Sequence, residues 1–218
     1  MKVSPSVISC RLELLRDQIE ISVDSGADQF HLDIMDGHFV PNLTMGGDLI
    51  SAIRRCTDLP LEAHMMVTNP DKYWKVFSKA GADILMFHYE SPVNLKKCFR
   101  EVKEAGKSYG MVINPDTPFS AVSDLLSEAE ILLIMTVYPG FSGQGFINGM
   151  TQKIREAREY IYENSLDTQI EIDGGINNNT GQIAVDSGAD ILVSASYIYG
   201  GDIRKNISNL KNIARSKT

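Results

Sequence analysis

The chain has 218 residues, of which 43% are hydrophobic and 22% charged, and its formal net charge is −7. This composition is typical of a globular protein and excludes a disordered chain, while the longest apolar run, 131–137, is too short to span a membrane. Lysines and arginines occur in runs of two at most, so the sequence lacks the basic patch that a nucleic-acid partner would require.

Cysteine usage and the N-terminal residues bear on the cellular compartment. The three cysteines are widely spaced and form no CxxC pair, which favours reduced thiols. No long apolar segment follows Met1, so no secretory signal is indicated. We therefore expect a cytoplasmic protein with neither a nucleic-acid nor a membrane partner, and we expect it to form a homo-oligomer.

A short motif of small residues recurs along the chain, each time after an amphipathic stretch and before an apolar run. Its clearest copies are 25–28, 80–83 and 187–190, which read Ser/Ala-Gly-Ala-Asp, and a weaker copy lies at 105–108. The glycine can adopt the left-handed conformation that ends a helix. Each copy therefore predicts a joint at which a helix ends and a buried strand begins.

These joints predict eight strands that alternate with eight helices. The strands are predicted at Lys2–Ser6, Gln29–Ile34, Leu61–Met66, Ile84–His88, Ser108–Ile113, Ile131–Thr136, Gln169–Asp173 and Ile191–Ser194. The helices are predicted at Leu12–Ser25, Gly47–Cys56, Pro70–Lys79, Asn94–Ala105, Phe119–Leu126, Asn148–Glu163, Thr180–Ser187 and Ile203–Ala214. Eight such units favour an α/β fold, a single (β/α)8 TIM barrel that forms one catalytic domain over residues 1–218. A doubly wound open sheet is the alternative, but no GxGxxG motif follows the first strand.

Polar residues occupy one face of three predicted strands. Because side chains alternate between the two faces of a strand, the apolar set faces the helices and the polar set faces the barrel interior. The interior-facing residues are His31, Asp33, Met35, Glu62, His64, Met66, Glu171 and Asp173. An interior carboxylate is costly unless it is paired or binds a metal. Two imidazoles and two carboxylates therefore predict a divalent transition-metal site. The predicted ligands are His31, Asp33, His64 and Asp173. A polar network without a metal is the alternative.

Two further histidines lie close to these segments. His38 follows the second strand and is expected to be a solvated loop residue. His88 ends the fourth strand. There it either lines the site or is a hydrogen-bonded residue of the barrel wall.

Glycine-rich loops follow the sixth, seventh and eighth strands. The last strands of such barrels often end in a phosphate site built from backbone N–H groups and a helix N-terminus. These loops hold no lysine or arginine, and the chain has no GxxxxGK[ST] motif. The sequence therefore predicts a phosphate held by backbone N–H groups, with helix dipoles adding to the attraction. The predicted donors are Gly143, Gly174, Gly175, Ala195 and Ser196, the last also through its hydroxyl.

Four segments and one serine carry a resemblance to a known family. The segments are 31–42, 64–67, 135–144 and 173–176, and the serine is Ser6. Together they closely resemble the signature of the ribulose-phosphate 3-epimerase family. The resemblance implies a (β/α)8 barrel that interconverts two phosphorylated ketoses, D-ribulose 5-phosphate and D-xylulose 5-phosphate. It also implies one divalent metal ion per subunit. Zinc or iron is the first expectation for that ion, with manganese or cobalt as alternatives.

The same resemblance assigns roles to individual residues. It implies that His31, Asp33, His64 and Asp173 bind the metal and that Asp33 and Asp173 are the catalytic acid/base pair. The implied substrate-binding residues are Ser6, His64, Met35, Met66, Met135, Gly140, Gly143, Gln144, Gly174, Gly175, Ala195 and Ser196. Two positions depart from the family pattern, because Tyr138 replaces a usual Asn, Asp or Glu, and Ala195-Ser196 replaces Gly-Ser or Gly-Thr. A D-allulose 6-phosphate 3-epimerase of the same family is therefore the alternative function.

The chemistry of the implied reaction agrees with these assignments. Epimerisation at C3 of a 2-ketose removes a proton next to the carbonyl and returns one to the opposite face. One carboxylate on each face, here Asp33 and Asp173, achieves this without turning the intermediate over. A divalent ion on the C2 and C3 oxygens would stabilise the cis-enediolate, and methionine sulfurs can line it without protonating it.

Two other functions are weighed against this hypothesis. An orotidine decarboxylase-like lyase requires an Asp-x-Lys-x-x-Asp segment at a strand end, and the second strand has no lysine there. A non-catalytic sugar-phosphate sensor on the same barrel is disfavoured by the intact metal and acid/base set.

Overall fold

Eight parallel strands curve into one sheet whose first and last members meet. A computed structural model describes residues 1–216 of the chain. The strands are β1 (Lys2–Pro5), β2 (Phe30–Met35), β3 (Leu61–Met66), β4 (Ile84–His88), β5 (Ser108–Ile113), β6 (Ile131–Met135), β7 (Gln169–Asp173) and β8 (Ile191–Ser194). From β2 to β8 each strand pairs with the next, and β8 pairs with β1. A parallel bridge between Ser6 and His31 joins the two remaining edges, which confirms the predicted TIM barrel.

Helices cover the outside of this barrel. They are α1 (Leu15–Asp24), α2 (Gly47–Arg54), α3 (Pro70–Ala80), α4 (Leu95–Glu104), α5 (Met150–Glu163), α6 (Asn178–Ser187), α7 (Ser196–Tyr199) and α8 (Ile203–Lys211). Short 3₁₀ helices lie at Val7–Ser9, Leu12–Leu14, Phe119–Ala121 and Ser123–Glu128. Within residues 1–216 no helix has the length and apolar character needed to cross a membrane. Residues 217 and 218 of the predicted domain lie outside the described residues.

Apart from shifts of up to three residues at the ends of elements, the predicted elements differ from the observed ones at three places. The predicted α-helix Phe119–Leu126 is wrong, because Val122 leaves the helical region (φ −122°) and divides the segment into two 3₁₀ helices. The predicted first helix starts as a separate 3₁₀ turn, Leu12–Leu14. The short helix α7 has only four residues, too few for an apolar period to reveal it.

The glycine joints are confirmed in all four copies. Gly26, Gly81, Gly106 and Gly188 have φ values of 90°, 123°, 70° and 125°. Each lies between the end of a helix and the strand that follows. Since this left-handed region is strained for residues that carry a Cβ, glycine is the residue that lets the chain turn into the next strand.

The two faces of the strands form different interiors. Outward-facing residues such as Phe30, Leu32 and Ile34 are buried against the helices in the main apolar core. Inside the barrel, β4, β5 and β6 contribute an apolar cluster that includes Met86, Val112 and Leu133. The interior faces of β2, β3 and β7 carry mainly polar residues instead, with Met35 and Met66 at their carboxyl ends. The polar groups therefore lie on one side of the barrel, where they must satisfy one another.

Candidate active site

Four polar side chains from three strands meet at the carboxyl-terminal end of the barrel. His31 and Asp33 lie on β2, His64 lies on β3 opposite Asp33, and Asp173 is the last residue of β7. One ligand-type atom of each lies within 4.8 Å of those of the others. His31 and His64 are fully buried, Asp33 is buried, and Asp173 is partly exposed. The structure thus brings together the four residues for which the sequence predicts a metal site.

The atoms that face each other across this cluster are close. Nε2 of His31 lies 3.0 Å from Nδ1 of His64. The same atom lies 3.4 Å from Oδ1 of Asp33 and 3.7 Å from Oδ2 of Asp173. Nδ1 of His64 lies 3.3 Å and 3.9 Å from those two oxygens. Two imidazole nitrogens and two carboxylate oxygens that converge in this way fit a divalent transition metal.

Each histidine of the cluster has a hydrogen-bond partner at the ring nitrogen that faces away from the cluster. Oε1 of Glu62 lies 2.6 Å from Nδ1 of His31. Nε2 of His88 lies 2.8 Å from Nε2 of His64. His88 is fully buried, and burial lowers its pKa to about 4, so that its ring is neutral. His88 is therefore a hydrogen-bonded residue of the wall, one of the two possibilities that the sequence left open.

A second acidic group lies below the cluster, toward the amino-terminal end of the barrel. Nε2 of Gln29 donates to Oε2 of Glu62 at 3.0 Å and to Oε1 of Glu171 at 3.3 Å. Burial and the neighbouring charge of Glu62 raise the pKa of Glu171 well above its ordinary value. Strand alternation predicts that both glutamates lie inside the barrel, but it assigns them no role. Glu62 supports His31 from beneath, and Glu171 is linked to Glu62 through Gln29.

The two aspartates of the cluster have opposite electrostatic environments. Burial opposes ionisation of Asp33, but the adjacent imidazoles of His31 and His64 outweigh it and lower the pKa of that carboxyl. The enclosed position of Asp173 raises its pKa to about 7; the charge of His31 opposes this rise and that of Asp33 adds to it. Burial also disfavours a charged His31, yet the carboxylates of Asp33 and Glu62 raise the pKa of this ring well above its ordinary value. One ionised and one protonatable carboxyl therefore face the same point.

A cleft of about 520 Å³, open to solvent, lies directly above the cluster. Asp33 and Asp173 are on its floor, and Ser6 at its edge donates a hydrogen bond to Oδ2 of Asp33. Of the residues for which the sequence predicts substrate contacts, those that line the cleft are Ser6, Met35, Met66, Met135, Gly140, Gly143, Gln144, Gly174, Gly175, Ala195 and Ser196. His64 is fully buried below the floor and is not part of the lining.

The glycine loops form the far wall of this cleft. Gly143, Gly174 and Gly175 have positive φ values of 80°, 121° and 65°. A Cβ on Gly175 would lie 2.4 Å from the backbone nitrogen of Phe146, so the two loops approach each other through a position that only glycine can fill. Among residues 1–216, the lining of the cleft includes no lysine or arginine. An anion at this wall would meet backbone groups and hydroxyls.

Two details of the wall differ from what the sequence predicts. The side chain of Asn177 accepts from the N–H groups of Asn179 and Thr180, so the amino terminus of α6 is capped by its own chain. Helix α7 is a single turn. Because N–H groups of α6 are already bonded and α7 has few aligned peptide dipoles, the expected helix-dipole contribution is small.

The loop after β6 is braced by its own side chains. Nε2 of Gln144 donates to the carbonyl oxygens of Tyr138 and Phe141 at 2.7 Å and 2.9 Å. The hydroxyl of Tyr138 donates to Asp116 at 2.8 Å. Gln144 therefore shapes the cleft wall through its amide nitrogen. Tyr138, one of the two departures from the family pattern, ties this loop to the loop after β5.

Comparison with known proteins decides the family. The model of the "Ribulose-phosphate 3 epimerase family" matches residues 2–199. The chain belongs to the ribulose-phosphate 3-epimerase family. It is therefore an enzyme, an epimerase. A ribulose-phosphate 3-epimerase of Bacillus subtilis (strain 168) is 41% identical over 97% of this chain and 98% of the relative. The family member of Methanocaldococcus jannaschii with the same name is 40% identical over 98% and 91%.

Solved structures share the fold across the family boundary. The 3-hexulose-6-phosphate synthase of Salmonella typhimurium superimposes with a TM-score of 0.73 at 20% identity, over 98% of both chains. This likeness supports the barrel alone. The family assignment rests on the family model and on relatives at about 40% identity.

Proposed function

We propose that this enzyme interconverts D-ribulose 5-phosphate and D-xylulose 5-phosphate by proton transfer at C3 through a cis-enediolate, with the help of a divalent metal ion. The observation that carries the proposal is the placement of Asp33 and Asp173 on the floor of one cleft, beside His31 and His64. Family membership and the names of relatives at about 40% identity support the substrate.

The metal would be held by His31, Asp33, His64 and Asp173. Their donor atoms lie within 4.8 Å of one another, and imidazole with carboxylate suits zinc, iron, manganese or cobalt. When bound, such an ion supplies Lewis-acid polarisation of the substrate carbonyl, which makes the neighbouring C–H more acidic. Zinc and iron are the first candidates, and one ion per subunit is proposed.

The two aspartates would move the protons. In one direction ionised Asp33 takes the C3 proton from one face while protonated Asp173 delivers a proton to the other. The reverse reaction exchanges their roles. The raised pKa of Asp173 supports this division, because a pair of carboxyls with unequal pKa values can hold one proton between them near neutral pH.

The remaining lining would hold the sugar and its phosphate. Met35, Met66 and Met135 bring polarisable, non-acidic sulfur to the cleft, where they can pack on the intermediate without protonating it. The phosphate would lie at the glycine wall on the backbone N–H groups of Gly143, Gly174, Gly175, Ala195 and Ser196. This arrangement is proposed because the lining within residues 1–216 offers no cationic side chain.

A direct assay tests the proposal. Purified protein is supplied with zinc or iron, its metal content is measured, and kcat/KM is compared for D-ribulose 5-phosphate and D-allulose 6-phosphate. We expect the pentulose phosphate to be preferred and activity to fall when a chelator removes the metal. A preference for the hexulose phosphate would replace the proposed substrate, and full activity of metal-free protein would remove the metal from the mechanism.

A further inference from the structure

His88 and Glu90 lie outside the cleft, yet they are linked to it through His64. His88 ends β4 and is fully buried, with its ring 4.7 Å from that of Phe39. Its Nε2 lies 2.8 Å from Nε2 of His64. Its Nδ1 lies 3.2 Å from Oε2 of Glu90. The proposed chemistry gives no role to either residue.

The contacts of Glu90 determine the direction of the hydrogen bonds that run from His64 through His88 to Glu90. Oε1 of Glu90 accepts from the backbone N–H of Asn114 at 2.9 Å and from the hydroxyl of Thr117. An ionised carboxylate only accepts hydrogen bonds, so Oε2 of Glu90 accepts from Nδ1–H of His88. Two ring nitrogens 2.8 Å apart need one donor and one acceptor, and an imidazole that carries its N–H at Nδ1 has a lone pair at Nε2. Nε2 of His88 therefore accepts from Nε2–H of His64.

This polarity leaves the lone pair of His64 at Nδ1. That nitrogen is the one that faces His31, Asp33 and Asp173. His31 is oriented by the same logic, because Glu62 accepts from its Nδ1 and leaves Nε2 to face the cluster. Both histidines thus reach a carboxylate at their outer nitrogen, His31 directly and His64 through His88.

We propose that His88 and Glu90 are positioning residues that fix His64 in the tautomer with its proton on Nε2, which makes Nδ1 a metal ligand. This inference rests on the metal site proposed above. Without an acceptor at position 88, the ring of His64 still faces acceptors at Nδ1, namely Oδ1 of Asp33 at 3.3 Å and Nε2 of His31, whose proton is on Nδ1, at 3.0 Å. The proton would then move to Nδ1 and occupy the lone pair that the metal needs.

Three variants separate this role from simple packing. His88→Phe keeps a ring of similar size and removes the acceptor. His88→Gln restores an acceptor oxygen near the position of Nε2. Glu90→Gln keeps its oxygen on the Asn114 N–H and turns its amide N–H toward His88. This reverses the direction of the hydrogen bonds between residues 90, 88 and 64. His38→Gln is the control, since His38 is an exposed loop histidine.

Two measurements are made on each protein. The first is ¹⁵N NMR of metal-free protein labelled at histidine, which reports the tautomer of His64 among the four histidines of the chain. The second is the zinc dissociation constant from chelator competition. We expect His88→Phe and Glu90→Gln to move the proton of His64 to Nδ1 and to weaken zinc binding about 10–100-fold. His88→Gln and His38→Gln keep the wild-type tautomer and bind zinc within about 3-fold of wild type.

The outcomes that overturn the inference are distinct from those that overturn the function. If His88→Phe and Glu90→Gln keep the wild-type tautomer and zinc affinity, His88 is a packing residue and the inference is wrong. If wild-type protein binds no zinc or other divalent ion, the proposed metal site is wrong and the inference falls with it. Should His88→Phe fail to fold, as judged by circular dichroism, Glu90→Gln and His88→Gln decide the question.

Discussion

Asp33 and Asp173 direct carboxylate oxygens at the same nitrogen of His31, although they come from strands on different sides of the polar cluster. Oδ1 of Asp33 lies 3.4 Å and Oδ2 of Asp173 lies 3.7 Å from Nε2 of His31. The pKa of Asp33 is lowered by the imidazoles, whereas enclosure raises the pKa of Asp173 to about 7. The pair is therefore chemically asymmetric before any substrate binds, as an acid and a base must be.

The first prediction concerns this pair. Asp173→Asn and Asp33→Asn should each lower kcat for epimerisation by at least about 10²–10⁴-fold, because an amide cannot take or return a proton. In D2O each variant should still exchange the C3 hydrogen of one epimer, since the remaining carboxyl removes and returns a proton on its own face. The epimer that exchanges should differ between the two variants. Mass spectrometry of recovered substrate measures the exchange.

Metal content is the control for this test, because both aspartates are also proposed ligands. Each variant is assayed with zinc at saturation and its bound metal is quantified. Near-native turnover in either variant would contradict the two-base mechanism, and exchange of the same epimer in both would show that the two carboxyls do not act on opposite faces.

The second prediction concerns Asp36, which joins two loops at the rim of the cleft. Its Oδ1 accepts from the N–H groups of His38 and Phe39, and its Oδ2 accepts from the N–H of Thr68, each at 2.8 Å. Burial opposes ionisation, but these backbone donors lower the pKa of Asp36 from 3.8 to about 2. Asp36→Asn should lower the free energy of unfolding by about 1–2 kcal/mol near neutral pH, because an amide cannot accept all three bonds.

The pH dependence gives this prediction its sign. A carboxyl whose pKa is lowered by folding contributes stability that is complete above about pH 4 and is lost as the pH falls toward about 2. The difference between wild type and Asp36→Asn in urea unfolding should therefore shrink as the pH falls below about 4. Asp58→Asn, at an exposed carboxylate, is the control and should show no such gap. A gap that is constant with pH would assign the effect to packing instead.

The polar cluster was predictable because strand alternation is a local property. The residues of β2, β3 and β7 that share a face can be named from the sequence, and their position toward the carboxyl ends of strands in a closed barrel groups His31, Asp33, His64 and Asp173. The contact between His64 and His88 could not be predicted in this way, since it depends on the stagger of β4 against β3, in which His64 pairs with Met86. His88 lies two residues farther along the same face, and no local pattern reveals that stagger.

The glycine wall shows the same limit. The loops could be recognised as glycine-rich, but the approach of Gly175 to the backbone of Phe146 joins residues from two loops whose relative position is a property of the whole barrel. The capping of α6 by Asn177 likewise occupies backbone N–H groups at a helix start that a generic barrel would be expected to offer to an anion. The alternation of side chains along a strand predicts which face each residue occupies. The close approach of two loops can be identified only from the three-dimensional structure.

The third prediction concerns packing inside the barrel at Gly110 of β5. A Cβ at this position would lie 2.6 Å from the sulfur of Met86 and 2.7 Å from the carbonyl oxygen of Ile131. The backbone oxygen cannot move without disturbing the ladder between β5 and β6, so Gly110→Ala should destabilise the protein by about 1–3 kcal/mol. Urea unfolding followed by circular dichroism measures the change.

Gly149→Ala is the matched control for Gly110→Ala. Gly149 has helical backbone angles (φ −60°, ψ −17°), and a Cβ there meets nothing within 4 Å. We expect its stability to stay the same or to rise by up to about 1 kcal/mol, because alanine restricts the unfolded chain more than glycine does. Equal effects of the two substitutions would show that the barrel interior adapts freely at Gly110.

The last prediction concerns the phosphate, and Ser196 is the position that tests it. Gly175 is unsuitable, because its positive φ and its contact with Phe146 would make any side chain there distort the loops. Ser196 is exposed and lines the cleft, so a substitution there leaves the barrel intact. If the phosphate lies at the glycine wall, Ser196→Asp places a negative charge beside it, and a repulsion of about 1–4 kcal/mol at about 4 Å should raise KM at least about 5-fold.

Two further variants distinguish repulsion by the local charge from the effects of side-chain size and of the net charge of the protein. Ser196→Asn has nearly the size of Ser196→Asp without its charge, and Ser208→Asp adds the same charge at an exposed position on α8. Both should change KM by less than about 3-fold, and kcat should be maintained in all three, because the phosphate contact is made equally in the ground and transition states. Raising the salt concentration should reduce the KM of Ser196→Asp toward wild type, since ions screen the repulsion. An unchanged KM in Ser196→Asp would place the phosphate away from this wall, and the backbone donors of Gly143, Gly174 and Gly175 would then have no anion to bind.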